Sequence, residues 1–252
     1  MCPSKCHLRS SRFLQPFKCL FWAFLLVCCE SGSASKTPTP AVPVAIASYD
    51  AQPSAQATAS VDAAPTDPKA FVDIQDLDPE ILLDMRYAGT NNFAHRSVYP
   101  KSRCLLRAPV AEALLRVQNR LRAEGLQLWI WDCYRPFHVQ EEFWKLVPDS
   151  RYVAKPTRNN GKPFRGSKHN RGAAVDLSLA DASGKQLSMP TDHDDFSERA
   201  HRDAKGTSAN AAANAQSLDA AMRAEGFEGI QSEWWHYDYA GWKEYQLSDE
   251  AL

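Results

Sequence analysis

The sequence has almost no net charge, no apolar run long enough to cross a bilayer and no Cys-x-x-Cys pair. A formal charge of −1 over 252 residues removes the electrostatic reason to expect nucleic acid or an anionic membrane surface as partner. Nothing in it implies a protein partner either. The unbroken apolar run from Cys19 to Cys29 is about half of the roughly 20 residues that a spanning helix needs. Five of the seven cysteines fall at or before Cys29, leaving Cys104 and Cys133 in the rest of the chain. Neither belongs to a closely spaced pair, which argues against a cysteine zinc site. The two are either joined in a disulfide or packed as small buried hydrophobes.

What is present at the start of the chain has the pattern of a targeting segment. Lys5, Arg9, Arg12 and Lys18 precede the apolar run with no acid among them, and the small residues of Ser31-Gly-Ser-Ala-Ser35 follow it. This predicts a secretory signal over residues 1–35 and an exported protein, periplasmic or associated with the cell surface. The alternative is a lipoprotein signal ending at Cys28 or Cys29, in which case the lipid is the only link to a membrane. Residues 36–69 are rich in Ala, Pro and Thr without a periodic apolar pattern. Such a stretch buries too little apolar surface to offset its ordering entropy, so a disordered linker is expected. Residues 70–252 then form one domain with a substantial core.

Within that domain Val110, Ala113, Leu114, Val117 and Leu121 recur at helical spacing between Pro109 and Glu124, and Gly125 supplies a stop. Leu126, Leu128 and Ile130 alternate with Gln127, Trp129 and Trp131 as in a strand that ends at Pro136. A second helix is expected over His138–Leu146, a loop over Lys155–Gly166, and a helix over Ser208–Glu225 ended by Gly226. Gly172 to Leu179 alternates again and places Asp176 on one face with Ala174 and Ser178. Phe227 to Tyr239 reads as the last strand or pair of strands.

The chemistry-bearing residues fall in two separated segments, Ser167-Lys-His169-Asn-Arg-Gly-Ala-Ala-Val-Asp176 and Glu233-Trp-Trp-His236. Two imidazoles and a carboxylate are a three-ligand set for Zn2+, one ion per chain, that leaves a position for water. Glu233, three residues before His236, is placed to act as general base. An odd separation points two residues to opposite faces of a regular strand. A bulge, bend or helical turn is therefore expected at Glu233–Trp235. Arg135, between a strand and Pro136, is either an ion-pair partner of Asp132 or a rigidly held active-site group. Asp194 stands in an acidic run with Asp192 and Asp195, His201 is expected to be structural, and Trp234 and Trp235 to pack around the metal.

These segments, with Asp84-Met-Arg-Tyr87-Ala, Asn92-Phe93, Trp131-Asp-Cys-Tyr134-Arg135-Pro136 and Met189 to His201, closely resemble the zinc D-alanyl-D-alanine dipeptidases of the VanX type. The resemblance covers residues 72–240. It implies an α+β fold of the hedgehog/D,D-peptidase kind, a single zinc metallopeptidase domain with a central antiparallel sheet flanked by helices. It also implies His169, Asp176 and His236 as zinc ligands, Glu233 as base and Arg135 as stabiliser of the tetrahedral intermediate. Tyr87 and Asp194 match positions that receive the substrate ammonium of D-Ala-D-Ala, and Ser167 a substrate-contacting hydroxyl. Departures occur at Cys133, where Gly is usual, at Pro190, where Gly is common, and at His193, a position often filled by Phe. A D,D- or L,D-carboxypeptidase acting on longer peptidoglycan stem peptides, and a non-catalytic zinc-stabilised binding domain, are the competing readings.

Overall fold

The computed structural model describes residues 67–252. The expected signal, and the expected linker except for residues 67–69, lie outside the described residues. Those last three residues close a turn, with the Ala70 N–H on the Asp67 carbonyl at 3.0 Å.

Strands β1 (Phe71–Asp73) and β3 (Leu105–Arg107) form a small antiparallel pair. The main sheet has five strands in the order β2 (Leu82–Leu83), β4 (Leu126–Asp132), β7 (Ala174–Asp181), β9 (His236–Tyr239) and β8 (Phe227–Gly229). It is antiparallel except at one edge, where β2 runs parallel to β4. Residues 174–180 of the central strand β7 are all buried, so both faces of the sheet are covered there.

The helices follow the apolar spacing. In α2 (Ala108–Arg122), Val110, Ala113, Leu114, Val117 and Leu121 are buried as expected, Pro109 sits in the first turn and Gly125 follows at φ 74°. The buried Gln118 side chain accepts the Leu128 N–H at 2.9 Å and so ties this helix to β4. In α4 (Ala209–Ala224), Ser208 Oγ caps the first turn by accepting the Ala211 N–H. Gly226 follows at φ 86°. Helices α2 and α4 pack on each other and on the sheet. Two short elements complete the set, α1 (Ile74–Leu77) and α3 (Phe137–Leu146).

Three expectations are corrected. The 155–166 segment is not a plain loop but contains the hairpin β5 (Thr157–Asn159) and β6 (Lys162–Arg165). Asn160 and Gly161 both have positive φ, 48° and 76°, the backbone of a tight two-residue hairpin turn. Strand β4 stops at Asp132, four residues before Pro136, and Pro136 instead precedes the first turn of α3. Last, the sheet carries the one parallel pair described above. Between the open alternatives for the cysteines, the structure shows the disulfide Cys104–Cys133. Closing its 29-residue separation removes roughly 3.6 kcal/mol of unfolded-chain entropy in the loop-closure picture.

Candidate metal and substrate site

Sheet register brings the site together. Asp132 of β4 pairs with Asp176 of β7, and Asp176 pairs with His236 of β9, so the three lie in one row across adjacent strands. His169 is on a helical turn just ahead of β7. Gly172 at φ 68° folds that turn back onto the sheet. A side chain at Gly172 would lie 2.4 Å from Phe71 Cε1, so both conformation and space require glycine there.

His169 Nε2, Asp176 Oδ1 and His236 Nδ1 converge. Their separations are 3.2 Å between the imidazoles and 2.9 and 3.3 Å from each ring to the carboxylate. Tetrahedral zinc with bonds of about 2.0–2.1 Å spaces its ligand atoms roughly 3.3 Å apart. The donor set fits that ion. Both rings are oriented from behind: His169 Nδ1 donates to the Cys133 carbonyl at 2.7 Å, and His236 Nε2 donates to Asp238 Oδ1 at 2.9 Å. Each bond leaves the opposite nitrogen directed at the shared point. Burial opposes charge on His236, but Asp176 and Asp238 outweigh it and the imidazolium pKa is pushed up to about 10. Burial likewise opposes the charged form of Asp176. The surrounding histidines, His169 first, nevertheless hold its carboxyl well below the usual range.

Glu233 lies just before β9, and the chain bends at Trp234 and Trp235, the irregularity that the odd spacing required. The bend lets Glu233 and His236 face the same cavity, with Glu233 Oε2 3.9 Å from His236 Nδ1. Burial pushes the Glu233 carboxyl up to about 7, with Asp176 and Asp194 adding to the rise and His236 opposing it. The two tryptophans separate. Trp235 lines the cavity, whereas Trp234 turns away and donates its Nε1–H to Thr191 Oγ1. Of the two, only Trp235 lines the cavity beside the candidate ligand group.

The cavity has a volume of about 270 Å³ and is also lined by Tyr87, Arg135, Ser167 and Asp194. Arg135 is the ion-pair partner of Asp132 and also lines the cavity. Its Nε and Nη2 donate to Asp132 Oδ2 at 3.2 and 2.7 Å, and its Nη1 donates to Gln140 Oε1 at 2.8 Å. Of five N–H donors, that leaves two. Burial disfavours its charge, yet Asp132 holds the guanidinium ionised, well above the usual range. Tyr87 donates to Asp194, its oxygen 3.0 and 3.1 Å from the two carboxylate oxygens. Burial raises the Asp194 carboxyl. Ser167 Oγ accepts the His169 N–H at 3.2 Å. His201 is half-exposed and is not part of the metal-ligand group. Asp192 is exposed, as a solvated acidic run would have it, but Asp195 is mostly covered and pairs with Arg199.

Sequence reasoning missed the supporting residues. Asp238 lies two residues after His236 on the same strand, and the shared face was a usable signal. The central position of Asp132, which also accepts the Tyr99 hydroxyl at 2.7 Å, had none beyond its closeness to Arg135. Gln140 reaches Arg135 from α3 and was not foreseeable from spacing.

A buried His–Asp–His group with a carboxylate and a guanidinium around one small cavity defines a class, the metallopeptidases. Comparison with known proteins narrows it. The D-ala-D-ala dipeptidase family, Peptidase_M15, matches residues 67–249, and the chain belongs to that family. The D-alanyl-D-alanine dipeptidase of Escherichia coli is 35% identical over 173 residues, 69% of this chain and 86% of that one. The Streptomyces coelicolor protein of that name is 36% identical over 182 residues, 67% and 89% of the two chains. The one from Enterococcus faecium is 33% identical over 168 residues, 61% and 83%.

Proposed function

We propose that this protein hydrolyses the D-alanyl-D-alanine dipeptide with one zinc ion held by His169, Asp176 and His236 and with Glu233 as general base. The observation that carries this reading is the convergence of three metal-ligand atoms, all within 4.8 Å of one another, beside a buried carboxylate. Zinc held there would supply a Lewis acid for the scissile carbonyl and acidify water. Glu233 would take a proton from the attacking water and return it to the departing amine; a carboxyl near neutrality suits both transfers. The two remaining N–H donors of Arg135 meet the oxyanion, and the Asp132 and Gln140 contacts fix the guanidinium before charge develops. Asp194, set by Tyr87, receives the substrate ammonium. Ser167 orients the His169 turn and presents its hydroxyl to the substrate.

This arrangement favours a free dipeptide over the stem peptides of the carboxypeptidase reading, because an acylated amine brings no cation to the buried Asp194 carboxyl. Glu233 and Arg135 weigh against a purely structural zinc, which needs neither. We also infer an exported enzyme. The Cys104–Cys133 disulfide supports that location, since reducing compartments keep thiols apart. The test is hydrolysis of D-Ala-D-Ala, N-acetyl-D-Ala-D-Ala and a pentapeptide stem, with and without a chelator. Chelator-sensitive turnover of the free dipeptide is expected, with the N-acetyl compound at least tenfold slower. Equal rates on all three substrates would overturn the role of Asp194, and chelator-resistant turnover would overturn the zinc.

A further inference from the structure

Glu233 lies outside any strand, between the end of β8 and the start of β9. Its carboxylate comes only within 3.9 Å of His236 Nδ1, too far for a hydrogen bond, so the backbone beneath it sets its place. Arg202, which has none of the roles above, grips that backbone at both ends. Its Nε donates to the Ile230 carbonyl at 2.8 Å and its Nη2 to the His236 carbonyl at 2.9 Å. Its Nη1 donates to Asp219 Oδ1 of α4 at 2.8 Å and to the Tyr237 hydroxyl at 3.1 Å. The guanidinium carbon stands 4.4 Å from the Tyr237 ring centroid. The group also lies against Gly229, where any Cβ would collide with it. Main-chain bonds continue the grip: the Arg202 N–H donates to the Gln231 carbonyl and the Trp234 N–H to the Ala200 carbonyl, both at 3.0 Å.

We propose that Arg202 is a positioning residue for the general base: it fixes the curvature of residues 230–236, and with it the place of the Glu233 carboxylate in the cavity. The proposal rests on the role given above to Glu233. His236 depends on this grip far less, because its backbone is paired with Asp176 in the sheet and its Nε2 donates to Asp238. Loss of Arg202 therefore moves the base more than the metal ligands. A guanidinium is required because its planar fork meets two carbonyls and a carboxylate at once, where an ammonium has a single nitrogen to offer. A misplacement of about 1 Å at a reacting group can cost about 10²-fold in rate.

Two variants and a small-molecule rescue test this. Arg202→Lys keeps the charge alone. Arg202→Ala removes the fork beside a cavity of about 550 Å³ that Arg202, Asp219 and Trp234 line, through which methylguanidinium can reach the place of the lost group. Each protein is read for KM and kcat on D-Ala-D-Ala, for zinc affinity by chelator competition, for hydrogen exchange over residues 230–236 and for folded fraction by circular dichroism. Methylguanidinium is added below denaturing concentration, with methylammonium as the control. Both variants are expected to lose about 10–100-fold in kcat with KM and zinc affinity little changed, and to exchange faster over residues 230–236. Methylguanidinium, and not methylammonium, should raise the kcat of Arg202→Ala severalfold and slow that exchange. Wild-type kcat in either folded variant would overturn the proposal. So would a loss shared equally by kcat and zinc affinity, or one that tracks only the unfolded fraction. A wild-type protein without zinc-dependent turnover would instead sink the functional reading, and unchanged exchange over residues 230–236 in Arg202→Ala would still refute the grip itself.

Discussion

Loading the site with zinc must expel a proton, and the structure says from which atom. His236 Nδ1 lies 2.9 Å from Asp176 Oδ1 while Nε2 donates to Asp238, so in the absence of zinc both nitrogens would face a carboxylate and the doubly protonated ring would be favoured. With a pKa of about 10, the ring is almost wholly charged at pH 7.5. Zinc needs the Nδ1 lone pair and must displace that proton. At least one proton should leave per zinc bound, and apparent zinc affinity should rise at least tenfold from pH 7 to pH 8, about 1.4 kcal/mol. The sign for stability is opposite. A pKa raised from 6.5 to about 10 stabilises the metal-free protein fully below pH 6.5 and progressively less as pH climbs toward 10. Its Tm should therefore fall over that window, and zinc-loaded protein should lack this component. Calorimetry in two buffers of different ionisation enthalpy counts the protons, and chelator competition gives the affinity. Zero proton release with a flat affinity between pH 7 and 8 would refute the assignment of Nδ1 as both proton carrier and ligand.

Two substitutions separate chemistry from scaffold. Arg135→Lys keeps the charge but loses the fork that grips Asp132 and Gln140. It should lower kcat by about 10²-fold with zinc affinity unchanged, and undiminished kcat would remove Arg135 from the chemistry. Gly172→Ala places a methyl 2.4 Å from Phe71 Cε1 at a positive φ. It should cost about 2–3 kcal/mol, or roughly 5–10 °C in Tm, and a wild-type melting curve would contradict the packing described.

The convergence of His169, Asp176 and His236 was anticipated from the sequence because imidazole and carboxylate identities carry their chemistry with them. The odd spacing of Glu233 and His236 even foretold the bend that lets both face the cavity. Helix α2 was legible for the same kind of reason, a periodic apolar face bounded by Pro109 and Gly125. What stayed hidden depends on pairing between distant strands. The row Asp132–Asp176–His236 exists only in the sheet register, and no spacing along the chain encodes it. The place of His193 between Asp176 and Asp194 arises from a loop folding over β7, which local pattern does not specify. The β5–β6 hairpin was masked by composition: Pro, Asn and Gly suggest a loop, while Asn160-Gly161 is also the strongest two-residue hairpin signal.

The most direct test is Glu233→Ala assayed beside wild type, with bound metal and turnover measured on the same sample. The account predicts one zinc per chain in both proteins and a loss of D-Ala-D-Ala hydrolysis of about 10²–10⁴-fold in the variant. Wild-type turnover by zinc-loaded Glu233→Ala, or no zinc on the wild-type protein, would contradict it.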